Sequence, residues 1–208
     1  MYYLKIKLGG KCECECSDLF KLEFDHIDPK IKSKQITRMS NSDIKFDEEI
    51  ENIQLLCGNC HRIKSFKEQQ QKMNKIISKD RKFKNKRIKF INNIKKEIGY
   101  QICKWNSNDI GFSYCLNFDH ISGNKYKQIS DLYNHSLETL TNEILKCRLL
   151  CRCCHQLYTC IQRGGKMLKI YYNDKTIKDF EKKFQDDNLN KIFQKEIEQA
   201  LIKFKDIV

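Results

Sequence analysis

Residues 25–26 are Asp-His and residues 119–120 are Asp-His again, set in the matching stretches LEFDHID and LNFDHIS. A carboxylate beside an imidazole is costly at the end of an apolar strand unless something holds both. Each pair has a companion downstream: His61 follows Cys57-Gly-Asn-Cys60, and His155 follows Cys151-Arg-Cys-Cys154. An Asp and a His from separate elements hold one divalent cation and leave positions open for water and phosphate. The histidine next to the Asp points across the strand, and its near-neutral titration suits proton abstraction from water. The set therefore predicts metal-assisted hydrolysis. Asp25 with His61, and Asp119 with His155, are the candidate ligands, and His26 and His120 are the candidate bases. Asn52, just ahead of the IQLLC segment, is placed to orient the first imidazole. His135 has no counterpart and reads as a surface residue.

The twelve cysteines fall only within 12–60 and 103–160. At CxxC spacing and without a secretory leader they point to metal rather than to disulfides. Cys57 and Cys60 can share one zinc ion with a second pair drawn from Cys12, Cys14 and Cys16. CxC is a short bite for a tetrahedral ion, so Cys12 with Cys16 is the first choice and Cys12 with Cys14 stays open. A second zinc is expected at Cys151 and Cys154, with Cys103 and Cys115 as upstream candidates. Cys103-Lys-Trp-Asn106 has the spacing of a CxxC that lacks its second cysteine.

An offset of 94 residues superposes the two Asp-His stretches and also brings IQLLCGNCH (53–61) onto CRLLCRCCH (147–155). Shared features in the same order predict a tandem repeat, with one module over 1–65 and a second over 99–163. Between them, residues 62–98 hold fourteen Lys or Arg against three acids, net +11 of the chain's +13. Ile91, Ile94 and Ile98 at helical spacing predict a basic, mostly helical linker over 66–98. Its cations Lys82, Lys84, Lys86, Arg87 and Lys89 would track phosphates. After Gly164-Gly165, read as a hinge, Leu189, Phe193, Ile197 and Leu201 mark an amphipathic helical tail over 164–208. The expected fold is α+β: two small zinc-stapled modules, a basic helical linker and a C-terminal helical tail.

The net charge of +13 over 208 residues favours an acidic partner, nucleic acid first. One Ala and one Pro against abundant Lys, Ile and Asn fit coding from an AT-rich genome, such as that of a large DNA virus, a phage or a low-GC cell. The N-terminus lacks the apolar core of a signal peptide, and no stretch approaches the ~20 apolar residues of a membrane span. An intracellular, reducing compartment is expected, and nothing specifies an oligomeric state.

LEFDHIDP and ENIQLLCGNCHRIKS together resemble the HNH endonucleases, well over 11–65 and more loosely over 100–160. The resemblance implies a ββα-metal fold with a treble-clef-like zinc core acting on DNA, double-stranded first. It implies a catalytic metal, usually Mg²⁺, on Asp25 and His61, with His26 as base and Asn52 orienting it. Cleavage would leave 5′ phosphate and 3′ hydroxyl ends. In the second module Asp119, His120 and His155 match, but Lys146 stands where Asn52 stood. Lys146 is a candidate phosphate contact, and the orienting group there is unassigned. The rival expectation is a zinc-stabilised DNA- or RNA-binding protein with vestigial sites, which would need the knuckles and the basic stretch but not the Asp-His sets.

Overall fold

In the computed structural model, residues 2–28, 30, 50–72, 79–99, 101–102, 112–121 and 124–204 are described. The chain divides at Lys64/Ser65 into two units. Both are mixed helix and small sheet, so the fold is α+β.

The first unit holds α1 (Tyr2–Lys7), β1 (Leu22–His26), β2 (Ile53–Cys57) and the start of α2 (Gly58–Lys72). The strands pair antiparallel, Leu22 opposite Cys57 and His26 opposite Ile53. Among its described residues Phe20, Leu22, Ile53, Leu55, Leu56 and Ile63 are buried together with Cys12, Cys57 and Cys60. A unit of this length commonly relies on a cross-link or a metal for stability.

The second unit holds α3 (Lys79–Ile98), β3 (Leu116–His120), α4 (Leu137–Ile144), β4 (Cys147–Cys151), α5 (Arg152–Gln162), α6 (Asp174–Phe184) and α7 (Asp187–Phe204). Leu116 lies opposite Cys151 and His120 opposite Cys147, so both hairpins share one register at the 94-residue offset. Here the core is continuous. Phe90, Ile91 and Ile94 of α3 bury against Leu132, Leu140, Ile144 and Cys147, and against Ile197, Ala200 and Leu201 of α7.

This departs from the expected linker. Residues 79–98 form a core helix of the second unit, because Phe90, Ile91 and Ile94 make one apolar stripe and the tail supplies a matching one. The described second unit therefore runs from residue 65 to the tail rather than over 99–163. Gly164-Gly165 is also better described as a helix stop than as a hinge. Both glycines have positive φ, 87° and 64°, and their N–H groups cap α5 through Ile161 O at 2.9 Å and Cys160 O at 2.9 Å. Among the described residues no helix is long and apolar enough to cross a membrane.

Candidate metal and catalytic sites

The sulfur atoms of Cys12, Cys14, Cys57 and Cys60 all lie within 4.8 Å of one another, with Cys14 and Cys57 at 3.6 Å. Tetrahedral zinc with bonds near 2.3 Å spaces its sulfurs by about 3.8 Å, so the set fits that ion. Cys14 thus stands where spacing favoured Cys16. In an extended strand, residues i and i+2 are ~6.6 Å apart. Here the loop closes on itself: Cys12 N–H bonds Cys16 O at 2.9 Å, Glu15 N–H bonds Cys12 O at 2.9 Å, and Glu15 takes φ 67°. Cys16 remains close, its thiol hydrogen-bonded to Cys57, which together with burial pushes its pKa up. Burial lifts Cys12 to about 11. A bound zinc ion would take its cysteine ligands as thiolates and release their protons.

At the other end of this hairpin, period-two alternation puts Glu23 and Asp25 on one face of β1. His61 sits in the first turn of α2 and meets both. Its Nδ1 donates to Glu23 Oε2 at 2.7 Å, and its Nε2 lies 3.3 Å from Asp25 Oδ1. The Glu23 bond raises the His61 pKa against the opposing effect of burial. The far oxygen of Asp25, Oδ2, accepts from Lys64 Nζ at 2.5 Å and from Gln54 Nε2 at 2.9 Å. Lys64 Nζ also donates to the backbone oxygen of His26, tying the strand end that carries the candidate base to the helix that carries His61.

Asn52 does not act on the His26 ring. Its Oδ1 accepts from Asp28 N–H at 3.0 Å, its Nδ2 donates to Asp28 O at 3.1 Å, and its backbone oxygen accepts from Ile27 N–H at 2.8 Å. It holds the main chain just past His26, which is positioning through the backbone. Glu23, Gln54 and Lys64 are the partners that the sequence reading left out. Only Glu23 carried a signal, an acid at the same strand parity as Asp25.

The second hairpin brings Asp119, His120 and His155 to a cavity of about 450 Å³ whose walls also include Lys125 and Arg163. The neighbours differ from those of the first. Arg148, at the position of Gln54, is 1% exposed and donates from Nε to Asp119 Oδ2 at 3.0 Å. Its Nη1 donates to Asn190 Oδ1 at 2.9 Å and to Phe184 O, and the guanidinium lies 4.6 Å from the Tyr158 ring centroid. His155 Nε2 is 3.7 Å from Asp119 Oδ1. Asn117 replaces Glu23 here, and burial lowers the His155 pKa where Glu23 raises that of His61.

The second structural zinc is not assembled from Cys115, Cys151 and Cys154: among the described residues the one group of three or more ligating side chains gathered closely enough to share an ion is the cysteine cluster of the first unit. Cys115, Cys151 and Cys154 are buried as small apolar groups, and Cys151 Sγ caps α5 by accepting from Cys154 N–H at 3.3 Å. Cys103 lies outside the described residues. The Lys146 ammonium donates to Glu143 Oε2 at 2.8 Å and to Asn124 O at 3.1 Å. On α3, Lys86 and Lys89 are exposed. Arg87 turns inward, 6% exposed, and burial lowers its pKa. Lys82 and Lys84 fall in α3 with side chains outside the described part.

Comparison with known proteins gives one match. Residues 12–67 fit the HNH endonuclease family, a span that covers the cysteine cluster and the whole first hairpin site and stops short of the second. No curated protein and no solved structure matches the chain.

Proposed function

We propose that the protein is a metal-dependent endonuclease that hydrolyses DNA phosphodiester bonds, with the first hairpin as one active site and the second as another. The observation that carries this reading is the pair Asp25 Oδ1 and His61 Nε2, 3.3 Å apart while their partner atoms Oδ2 and Nδ1 are already engaged. Adjacent ligands on a small divalent cation, with bonds of about 2.0–2.2 Å, are about 3 Å apart. The two donor atoms therefore fit such an ion, Mg²⁺ first. When bound, it supplies positive charge against the phosphoryl oxygen and the leaving 3′ oxygen.

The protein's own groups do the rest. The His26 imidazole takes the proton of the attacking water. Glu23 fixes which His61 nitrogen faces the metal position. Lys64 and Gln54 hold Asp25 in place from the far side, and Asn52 holds the main chain after His26. In the second unit Asp119, His155 and His120 take the corresponding parts, with Lys125 and Arg163 at the cavity wall to meet a phosphate backbone. Cys12, Cys14, Cys57 and Cys60 would hold a structural zinc ion with no part in the chemistry.

Plasmid cleavage tests this. Replacing His26 with Ala is expected to slow nicking at the first site by ~10²–10⁴ while leaving zinc content unchanged. Wild-type cutting by the His26→Ala, His120→Ala double variant would overturn the assignment. DNA binding without EDTA-sensitive cleavage by the unaltered protein would move the reading to a zinc-stabilised binding protein.

A further inference from the structure

We propose that Glu143 is the positioning residue for the base of the second hairpin, holding the His120 ring so that Nδ1 is the nitrogen left to accept a proton. This rests on the reading of Asp119, His120 and His155 as a cleaving site. His120 Nε2 lies 2.8 Å from Glu143 Oε1. The same oxygen accepts from Tyr126 N–H at 2.8 Å, and Oε2 accepts from Lys146 Nζ at 2.8 Å. Lys146 is anchored in turn on Asn124 O at 3.1 Å. The carboxylate is thus gripped from three directions, by β3, by the loop after it and by the residue ahead of β4. Glu143 is itself 2% exposed in the last turn of α4.

A carboxylate only accepts hydrogen bonds, so the nitrogen it meets must carry the proton. In the neutral ring that places N–H at Nε2 and the lone pair at Nδ1, which has no partner among the described residues. His120 lines the cavity beside Asp119 and His155, and Glu143 does not. The charge on Glu143 is secured: burial alone would raise its pKa, but Lys146, the Tyr126 N–H and His120 hold it at about 2. An anion behind the ring also offsets the imidazolium formed when the proton arrives. In the step itself a proton of water passes to Nδ1 and its oxygen bonds to phosphorus. The bond from phosphorus to the 3′ oxygen breaks, and that oxygen takes a proton from solvent. The orienting task that the sequence left unassigned in this half is therefore done by a carboxylate three residues before Lys146. Lys146 serves that carboxylate.

Two conservative variants separate positioning from mere charge. Glu143→Gln keeps Oε1 at its full reach but loses the charge. Glu143→Asp keeps the charge but shortens the arm by one bond, about 1.5 Å, which opens the contact beyond hydrogen-bond range. Both are made in the full chain carrying His26→Ala, with long-range ¹H–¹⁵N spectra of labelled histidine and DNA cleavage as readouts. Positioning predicts that Gln retains the Nε2–H tautomer of His120 and cuts within about tenfold of its parent. It predicts that Asp loses the fixed tautomer and about 100-fold in rate. The reverse order, or spectra alike in the two variants, would overturn the proposal. Should Asp not fold, loss of the Nε2–H signal in Gln overturns it alone. If the His26→Ala parent does not cut at all, the cleaving-site reading fails, and the tautomers still decide what Glu143 does.

Discussion

The two hairpins are the same frame with different neighbours. Leu22–His26 pairs with Ile53–Cys57 in the register in which Leu116–His120 pairs with Cys147–Cys151, and each presents an Asp, a His and a second His from the following helix. In the first, His61 leans on Glu23, Asp25 is steadied by Lys64 and Gln54, and cysteines gather at the base of the hairpin. In the second, His155 has no carboxylate at the matching strand position, Asp119 is clamped by a buried arginine, and apolar helices do the gathering. The difference teaches that a ββα frame fixes where the Asp and His side chains stand. The side chains around it decide how firmly each is held and what keeps the frame folded.

The most severe way to break the comparison is to remove zinc. A structural zinc ion is worth ~10–16 kcal/mol to a small domain, so strong chelation should unfold the first unit and leave the second intact, as seen by hydrogen exchange resolved along the chain. Equal loss in both units would mean the cysteines are not the first unit's staple. Next comes Arg148→Met. Stripping Asp119 of its buried partner should cost the second unit about 3–5 kcal/mol. Gln54→Met, which removes a neutral donor, should cost the first about 1–3. Urea titrations of both variants compare the two. Smaller again is Glu23→Gln, expected to weaken Mn²⁺ binding at the first site by about 10–100-fold, measured by calorimetry. Adding the missing acid through Asn117→Glu should draw the second site toward the first. The mildest change is Lys86→Glu with Lys89→Glu, expected to flatten the slope of log K against log salt by about 2 for DNA binding.

Much of this was written locally in the chain. Asp25-His26, Cys57-Gly-Asn-Cys60-His61 and their later counterparts announce themselves because neighbours in sequence stay neighbours on a strand end or in a first helical turn. The 94-residue offset reads out the common register for the same reason. Other features depend on groups meeting across the fold. Cys14 joins the cluster through a turn that CxC spacing does not disclose. Arg148 looked like one basic residue among forty, and only the approach of Phe184 and Asn190 makes it a buried clamp. Glu143 was invisible because its partners His120, Tyr126 and Lys146 come from separate segments. The basic helix misled for a related reason: its lysines dominated the composition, while three apolar residues decided where it packs.

Arg148 carries one more consequence, for modularity. Among the described residues, the side chains seen to steady the first site, from Cys12 to Lys64, lie within residues 12–64. The second cannot be cut out in the same way. Two of the three groups that accept from Arg148, Phe184 O and Asn190 Oδ1, belong to the corner between α6 and α7, so trimming the chain after Arg163 would strand a guanidinium beside Asp119. Among the described residues the first candidate site draws on one short stretch of chain, and the second keeps its clamp on Asp119 only as long as it keeps its own C-terminus.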